Sequence, residues 1–297
     1  MASLTSRAFA PGTPWALSMA FVERQTNLWK RYWGWELVWL VYGLVNTLAV
    51  TLIAEQIGQQ GDASPEVARE LVLFLLIGTL VWAYLSAVLD DISLVVQWER
   101  WEGTIEHTLM APVRRSLHLL GMSVFGVLHG AIRTLLIFGI ALFFFDVDFS
   151  RVDWLAATSV IVVGSVSVAA LAVLAGVLPL LYPERGSQMS LMVQASLLLV
   201  SGVYYEVEVL PSWLQVFSVL SPATYILDGI RAAMIDGDSF RDAAGTLGAL
   251  AIFGAGCQCC GTQKPTIAHS IVGWDGCYGF GANSVFSISA GHTHPTH

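Results

Sequence analysis

Charged side chains are scarce in this chain of 297 residues. Asp, Glu, Lys and Arg together make up 12%, about half the share found in a water-soluble domain. A soluble fold would lack the charge to cover its surface. Basic residues are fewer than acidic ones, 14 against 22, for a net charge of −8. The cationic footprint that holds a nucleic-acid backbone is therefore missing. Cysteine does not occur before Cys257; Cys257, Cys259, Cys260 and Cys277 crowd into the end of the chain, which is no disulfide framework. Residues 1–20 have no basic start followed by a continuous apolar core, because Pro11, Gly12 and Pro14 interrupt it. Entry into a membrane is then expected through the chain's own helices and not through a secretory signal. Apolar residues are what the chain has in excess: 55% are hydrophobic, with 11 Trp and 14 Phe, and the mean hydropathy is +0.65. These excesses describe a polytopic membrane protein.

A helix needs about 20 mostly apolar residues to cross the hydrocarbon core. Residues 37–54 form the first such run, with Trp33, Trp35 and Trp39 as an aromatic belt at one interface. Residues 71–89 form the second. A long third run at 117–145 is tilted or extends past the bilayer. Runs at 154–178 and 188–204 follow, and a weaker sixth starts near Ala243. Six spans put both ends of the domain on one side. Segments 1–35, 90–116 and 179–187 carry Arg7, Arg24, Lys30, Arg31, Arg100, Arg114, Arg115 and Arg185. The opposite loops carry Arg69, Arg151, Arg231 and Arg241. Eight against four places the N-terminus in the cytoplasm by the positive-inside rule.

Three further segments are amphipathic without spanning. In residues 19–35, Val22, Trp29, Tyr32 and Trp33 share a face while Arg24, Lys30 and Arg31 stay wet, as in a helix lying in the interface plane. In residues 98–112, Trp98, Trp101, Ile105 and Leu109 recur at spacings of 3, 4 and 4, one helical stripe. Glu99, Glu102 and Glu106 take the other side and Pro112 ends the pattern. Such a helix is shaped to meet a partner, and it also fits an ordinary interfacial helix that closes a loop. In residues 204–231, Pro211 and Pro222 bracket an apolar stretch of ten residues, too short to span. It reads as a re-entrant or interfacial hairpin over the external mouth, with or without contact to cargo.

Arg133 falls near the middle of the third run, with His129 one turn earlier on the same face. A charge at that depth is costly and marks a functional site by default. His129 and Arg133 are accordingly candidates for the cargo pathway, by holding an anionic headgroup. Pairing with a carboxylate on a neighbouring helix and snorkelling to the interface are the structural readings. Asp90 and Asp91 close the second run and read as a cap or a solvated end. Asn46 and Thr47 suit bonds between helices.

Taken together, the order and placement of these pieces resemble the membrane subunit of type-2 ATP-binding-cassette exporters. The matching residues are Glu99, Arg100, Glu102, Gly103, Thr104 and Glu106 with Pro112 and Arg114–Arg115 beyond, and then Leu210-Pro211-Ser212-Trp213-Leu214, Ser221-Pro222-Ala223-Thr224-Tyr225 and Asp228-Gly229-Ile230-Arg231. The resemblance covers about 230 residues. It implies an all-α membrane domain over 37–256 with six transmembrane helices. An interfacial helix within residues 1–36 precedes it. The first motif becomes a cytoplasmic ATPase-coupling helix, and Pro211, Trp213, Pro222 and Tyr225 belong to an external re-entrant hairpin. It further implies a dimer, with a second copy or a paralogue, embedded among membrane lipids and moved by a separate ATP-binding cassette ATPase subunit. No catalytic residue and no metal site are expected in this chain. The sequence agrees on one point: a phosphate loop needs G-x-x-x-x-G-K-[ST], and neither Lys30 nor Lys264, the two lysines here, follows such a loop. ATP and Mg would sit on the partner, and no cofactor on this chain. Nucleic acid is not an expected partner.

Residues 257–297 break the pattern. Every cysteine and His269, His292, His294 and His297 lie there, with Lys264 and Asp275 the only charges. A frameshifted or vector-derived terminus, a genuine unusual tail and a metal site are the three readings; the tight Cys257-Gln258-Cys259-Cys260 spacing suits the last poorly. A basic, cysteine-free continuation in another frame of the encoding DNA would identify the first. Two other function classes make different demands on the sequence. A membrane enzyme acting on lipid would draw on His107, His118, Glu99, Glu102 and Glu106, which a coupling surface explains more simply. An ion-coupled secondary transporter would show facing repeats, and residues 37–116 and 117–204 share none. Cargo is expected to be amphipathic, as a lipid, glycolipid, drug or antibiotic.

Overall fold

The computed structural model describes residues 14–60, 65–104, 107, 110, 115–145, 152–176, 178, 185–236 and 244–263. Glu106 and Pro112 of the coupling motif, its Ile105, Leu109 and Arg114, and residues 264–297 of the tail lie outside them. The chain falls into two compact units, Met1–Cys257 and Gln258–His297, and the contacts given below lie within the first. Among the described residues there is helix and no strand. The architecture is all-α.

Helix α1, Pro14–Arg31, closes with Lys30 and Arg31 in its last turn, where cations meet the negative end of the helix dipole. Tyr32 breaks the helix before α2, Trp33–Gln60. α3 spans Pro65–Ser93 and α4 Val95–Trp101; α5 spans Arg115–Phe144 and α6 Trp154–Ala175. α7 is Gly186–Val200, and a 3-10 turn at Val207–Val209 leads to α8, Ser212–Leu220, and α9, Pro222–Arg231. A π-helical turn, Ala232–Asp236, continues α9, and α10 is Ala244–Gln263.

Among the described residues, four helices are long and apolar enough to cross a membrane: Trp33–Gly58, Glu66–Ser93, Leu117–Phe144 and Trp154–Ala175. The protein is a multi-pass membrane protein. Two shorter apolar helices, Gln188–Val200 and Gly245–Ala255, stand where the fifth and sixth spans were expected. α7 has 15 residues, or about 22 Å at 1.5 Å per residue, short of the roughly 30 Å hydrocarbon core. It stops before the expected 204 because Gly202 takes φ +70°, a left-handed turn that glycine adopts without penalty. α5 errs the other way. Its 30 residues reach about 45 Å, more than a straight crossing of the hydrocarbon core requires, as in a helix that is tilted or extends past the bilayer.

The core gathers on α3. Ile77, Leu85, Val88 and Ile92 of α3 pack with Val160 and Val168 of α6, Ile226 and Leu227 of α9 and Leu250 of α10. By contrast α2 shows an apolar face outward, with Val38, Tyr42, Val45, Ile53 and Ile57 all exposed, as a lipid-facing helix does. Lipid is as apolar as leucine, so close packing must hold the helices together instead of water exclusion. α6 supplies it with small buried residues, Ala156, Gly164, Ser165, Ala169, Ala172 and Ala175 among them. Asp153 caps α6, its carboxylate accepting from the amides of Leu155 at 2.9 Å and Ala156 at 3.1 Å. The Ser167 hydroxyl donates to the Leu250 carbonyl at 2.6 Å, tying α10 to α6.

Far from α1, Arg231 at the end of α9 clamps the turn after α7. Its guanidinium donates to the carbonyls of Gly202 at 2.9 Å and Val203 at 2.8 Å and lies 3.5 Å over the Phe74 ring of α3. Gly78 of α3 makes room: a Cβ there would stand 2.3 Å from the Val203 carbonyl oxygen and 2.9 Å from the guanidinium. Gly78→Ala should therefore destabilise the protein by about 1–3 kcal/mol, the usual cost of overpacking. Gly139→Ala, whose Cβ would meet nothing within 4 Å, should match or slightly exceed wild type. Thermal unfolding in detergent reads both. Equal melting of the Gly78 variant and wild type would refute the clamp.

Candidate functional site

The chemistry-bearing residues gather in three places. The first is the corner at the end of α4. A continuous helix over 98–112 was expected; instead α4 ends at Trp101 and Gly103 turns left-handed at φ +70°. The Thr104 amide reaches back to the Glu99 carbonyl at 2.9 Å and that of Glu102 to Trp98 at 3.0 Å. This is a Schellman-type stop, in which a glycine takes the conformation other residues avoid and its successor satisfies a free carbonyl. The chain is helical again at His107 and Met110. The Trp98–Leu109 stripe is thus split by the very Gly-Thr pair that marks the motif.

Glu99 holds this corner in place. It is buried to 4% exposure, and its Oε1 takes Arg24 of α1 at 2.8 Å and His118 of α5 at 3.3 Å. Arg24 also approaches the Thr104 hydroxyl at 3.4 Å. Burial opposes ionisation of Glu99, but His118 and Arg24 outweigh it and hold the carboxyl below its ordinary range. Arg24 was expected to stay wet; it turns inward because the one buried carboxylate nearby needs a cation. Beside it, Gly121 of α5 lets α1 approach, since a Cβ there would touch the Phe21 Cβ and the Ser18 carbonyl, both at 2.8 Å. Glu102, Gly103 and His107 are exposed at the tip of the corner, and so is Met110 at 72%.

The second place surrounds His129 in α5. Its Nδ1 lies 2.6 Å from Asp91 of α3 and its Nε2 3.2 Å from Glu36 of α2. The ring is stacked on Phe125 at 5.4 Å and meets the edge of Trp29 at 5.8 Å. Arg133, a turn further on, is close enough for its charge to act on Glu36, Asp90 and Asp91. Asp90 accepts from the Gln194 amide of α7 at 2.5 Å. So the pair at the end of α3 is half-exposed and also bonded to neighbouring helices. Carboxylates at a helix C-terminus oppose the dipole, and two in a row need donors from neighbouring helices. An anionic headgroup would find both ring nitrogens of His129 already facing carboxylates.

The third place is the pair α8–α9. Pro211 precedes α8, and Pro222 starts α9 after a one-residue break at Ser221. Trp213, at 66% exposure, with Val216, Phe217 and Leu220 forms an outward apolar face on α8. α9 is buried along most of its length. The Tyr225 hydroxyl donates to the Val219 carbonyl at 2.9 Å, linking the two helices.

Of the residues singled out in the sequence, Glu99, Gly103 and Thr104 come together in one corner, with Arg100 and Glu102 in the same short stretch. Glu99 and His118 of the enzyme-type set do meet, but Glu102 and His107 of that set point to solvent. Glu36, Asp91, Gln194 and Arg24 were missed as partners. The available signal was Glu36 just before one apolar run and Asp90–Asp91 just at the end of the next.

A family model described as ABC-2 type transporter matches residues 18–235. None of the curated proteins compared with the chain matches it.

The Glu99 pairing makes a pH-dependent prediction. A carboxyl held below its ordinary range stabilises the fold above the unfolded value, about 4.3 for Glu, and that gain disappears as pH falls through the lowered value. Wild type should therefore exceed Glu99→Gln by about 1–3 kcal/mol at neutral pH, the scale of a hydrogen bond to a charged group. The gap should close on acidification below ~pH 4. Melting curves of the two proteins across pH measure it; a gap unchanged in acid would assign the effect to something other than the carboxylate.

Proposed function

This chain belongs to the ABC-2 type transporter family, and from that premise we propose that it is the permease half of an ATP-driven exporter moved by separate ATPase subunits. The permease role and the multi-pass membrane location come with the family; the rest is our reading. In it, two copies, or this chain and a paralogue, line one pathway among membrane lipids. ATP and Mg belong to the partner, in keeping with two lysines and no phosphate loop in this chain. The N-terminus is cytoplasmic, as the Lys and Arg distribution favours, and α7 and α10 complete six spans. Residues 257–297 are a separate tail. The cargo is amphipathic.

One observation carries the reading: the α4 corner has an exposed tip and a buried root bound to two other helices. Glu102, Gly103 and His107 face solvent, while Glu99 three residues before Glu102 is held by Arg24 of α1 and His118 of α5. A partner that pushes on the tip moves α1 and α5 with it. Glu99, Arg100, Glu102, Gly103, Thr104, Glu106 and Pro112 form this coupling element, in which Glu99 is the root and the exposed residues are the docking face. At the other end, Pro211, Trp213, Pro222 and Tyr225 organise α8–α9 as a cap over the external mouth, re-entrant or interfacial.

Purification from native membranes in mild detergent, through a tag on the N-terminus, tests the reading. Wild type should bring down an ATPase subunit in roughly equal amount. Glu102→Arg, at an exposed position, should keep its melting temperature and lose the ATPase. A wild-type chain that purifies alone and without ATP hydrolysis would overturn the proposal.

A further inference from the structure

We propose that His129 is the positioning residue of this transporter: an imidazolium whose two N–H groups lock α2, through Glu36, to α3, through Asp91. The inference rests on the permease reading for its purpose, and on the geometry around the ring for its chemistry.

The geometry admits two arrangements, an imidazolium between two carboxylates or a neutral ring that accepts from one protonated acid, and the proposal is the first. A neutral imidazole has one N–H donor and one lone pair. His129 directs Nδ1 at Asp91 Oδ2, 2.6 Å away, and Nε2 at Glu36 Oε2, 3.2 Å away. In a neutral ring between two ionised acids, one nitrogen lone pair would face a carboxylate oxygen, which repels it. The doubly protonated ring donates on both sides. The charges around it agree: Glu36 faces it from α2, Asp91 and Asp90 lie at the end of α3, and Arg133 is the other cation of α5. From α1 the ring meets Trp29 and from its own helix Phe125, and aromatic faces suit a cation. The ring itself is 7% exposed, while the side chains of Glu36 and Asp91 are 25% and 23% exposed.

Its place along α5 gives the lock a purpose. His118 receives the coupling corner through Glu99. Eleven residues on, about 16 Å along the same rigid helix, His129 holds Glu36 in the first turn of α2 and Asp91 in the last turns of α3. A displacement of α5 at the corner is passed to α2 and α3 by packing, as where Gly130 of α5 lies against Val88 of α3 and Gly43 of α2 against Ile137 of α5, and this ring adds a directional joint to both. α2 presents an apolar face outward over most of its length, and this joint adds a directional bond to its packing on α3 and α5.

Two measurements test the proposal. The first is the ¹⁵N spectrum of histidine-labelled protein in lipid at neutral pH, with His129 assigned by the signals lost in His129→Gln. Both ring nitrogens should be protonated; a signal from an unprotonated nitrogen would overturn the imidazolium. The second places nitroxides at Val45→Cys on α2 and Leu136→Cys on α5, both exposed sites, with the native cysteines replaced by serine. One narrow distance distribution is expected, the same with and without nucleotide when the ATPase partner is bound. His129→Gln should give a broad or two-component distribution, and His129→Arg, a cation with donors on two edges, should restore the narrow one. Asp91→Asn, which keeps the ring, serves where His129→Gln fails to fold and should broaden it as well. Identical distributions in wild type and these variants would refute the lock. A wild-type chain that binds no ATPase would refute the permease reading alone, since the nitrogen spectrum and the nucleotide-free distances do not depend on a partner.

Discussion

A carboxylate among apolar helices has no water to solvate it, so it must be met by donors from its neighbours. That constraint organises the half of this protein nearest α1. Asp90 and Asp91 end α3, where the helix dipole already disfavours negative charge. Their partners come from three directions: Gln194 from α7, His129 and Arg133 from α5, and through His129 the Glu36 of α2. Glu99 repeats the solution one step outward, drawing Arg24 from α1 and His118 from α5. Each of these buried or half-buried acids thus contacts at least one other helix. Packing alone would do this less specifically, since in lipid one apolar contact is much like another.

The far half is held differently. There the fixed point is Arg231, whose cation is spent on two carbonyls of the turn after α7 and on the Phe74 ring. The turn can approach α3 so closely because residue 78 is glycine, and it can reverse because residue 202 is glycine. Charge pairs between side chains at one end and charge-to-backbone bonds at the other have different mechanical consequences. A side-chain pair can part and re-form as helices shift. A guanidinium bound to consecutive carbonyls and stacked on a ring holds its turn as one piece with α3 and α9.

Much of the fold was legible because hydropathy and length act locally. The four long spans lie within a few residues of the runs at 37–54, 71–89, 117–145 and 154–178, and the bracketing prolines at Pro211 and Pro222 do separate short helices. The helix over 98–112 was misread for a physical reason. A spacing of 3, 4 and 4 records which residues would share a stripe if the helix continued, and says nothing of Gly103 taking a left-handed stop. The partners of His129 were hidden for another reason. Residues 36, 91 and 129 are far apart in the chain, and which of them meet depends on how far α5 projects past the bilayer, a tertiary fact. The opposed dipole at Asp90–Asp91 was the one local clue.

The length of α5 is what unites these parts. A helix that only crossed the hydrocarbon core would need about 20 residues; this one has 30. Glu36 opens α2 and Asp91 closes α3, so both mark the same end of the bundle, and both meet α5 at His129, fourteen residues after it begins. The stretch from Arg115 to about Gly126 precedes that ring. It carries the glycine contact to α1 at Gly121 and the Glu99 contact at His118. Shorten α5 to a bare span and the corner loses its root on the bundle. That length is the lever arm, and the ring adds a charged joint to α2 and α3 beside the packing that already holds them to α5.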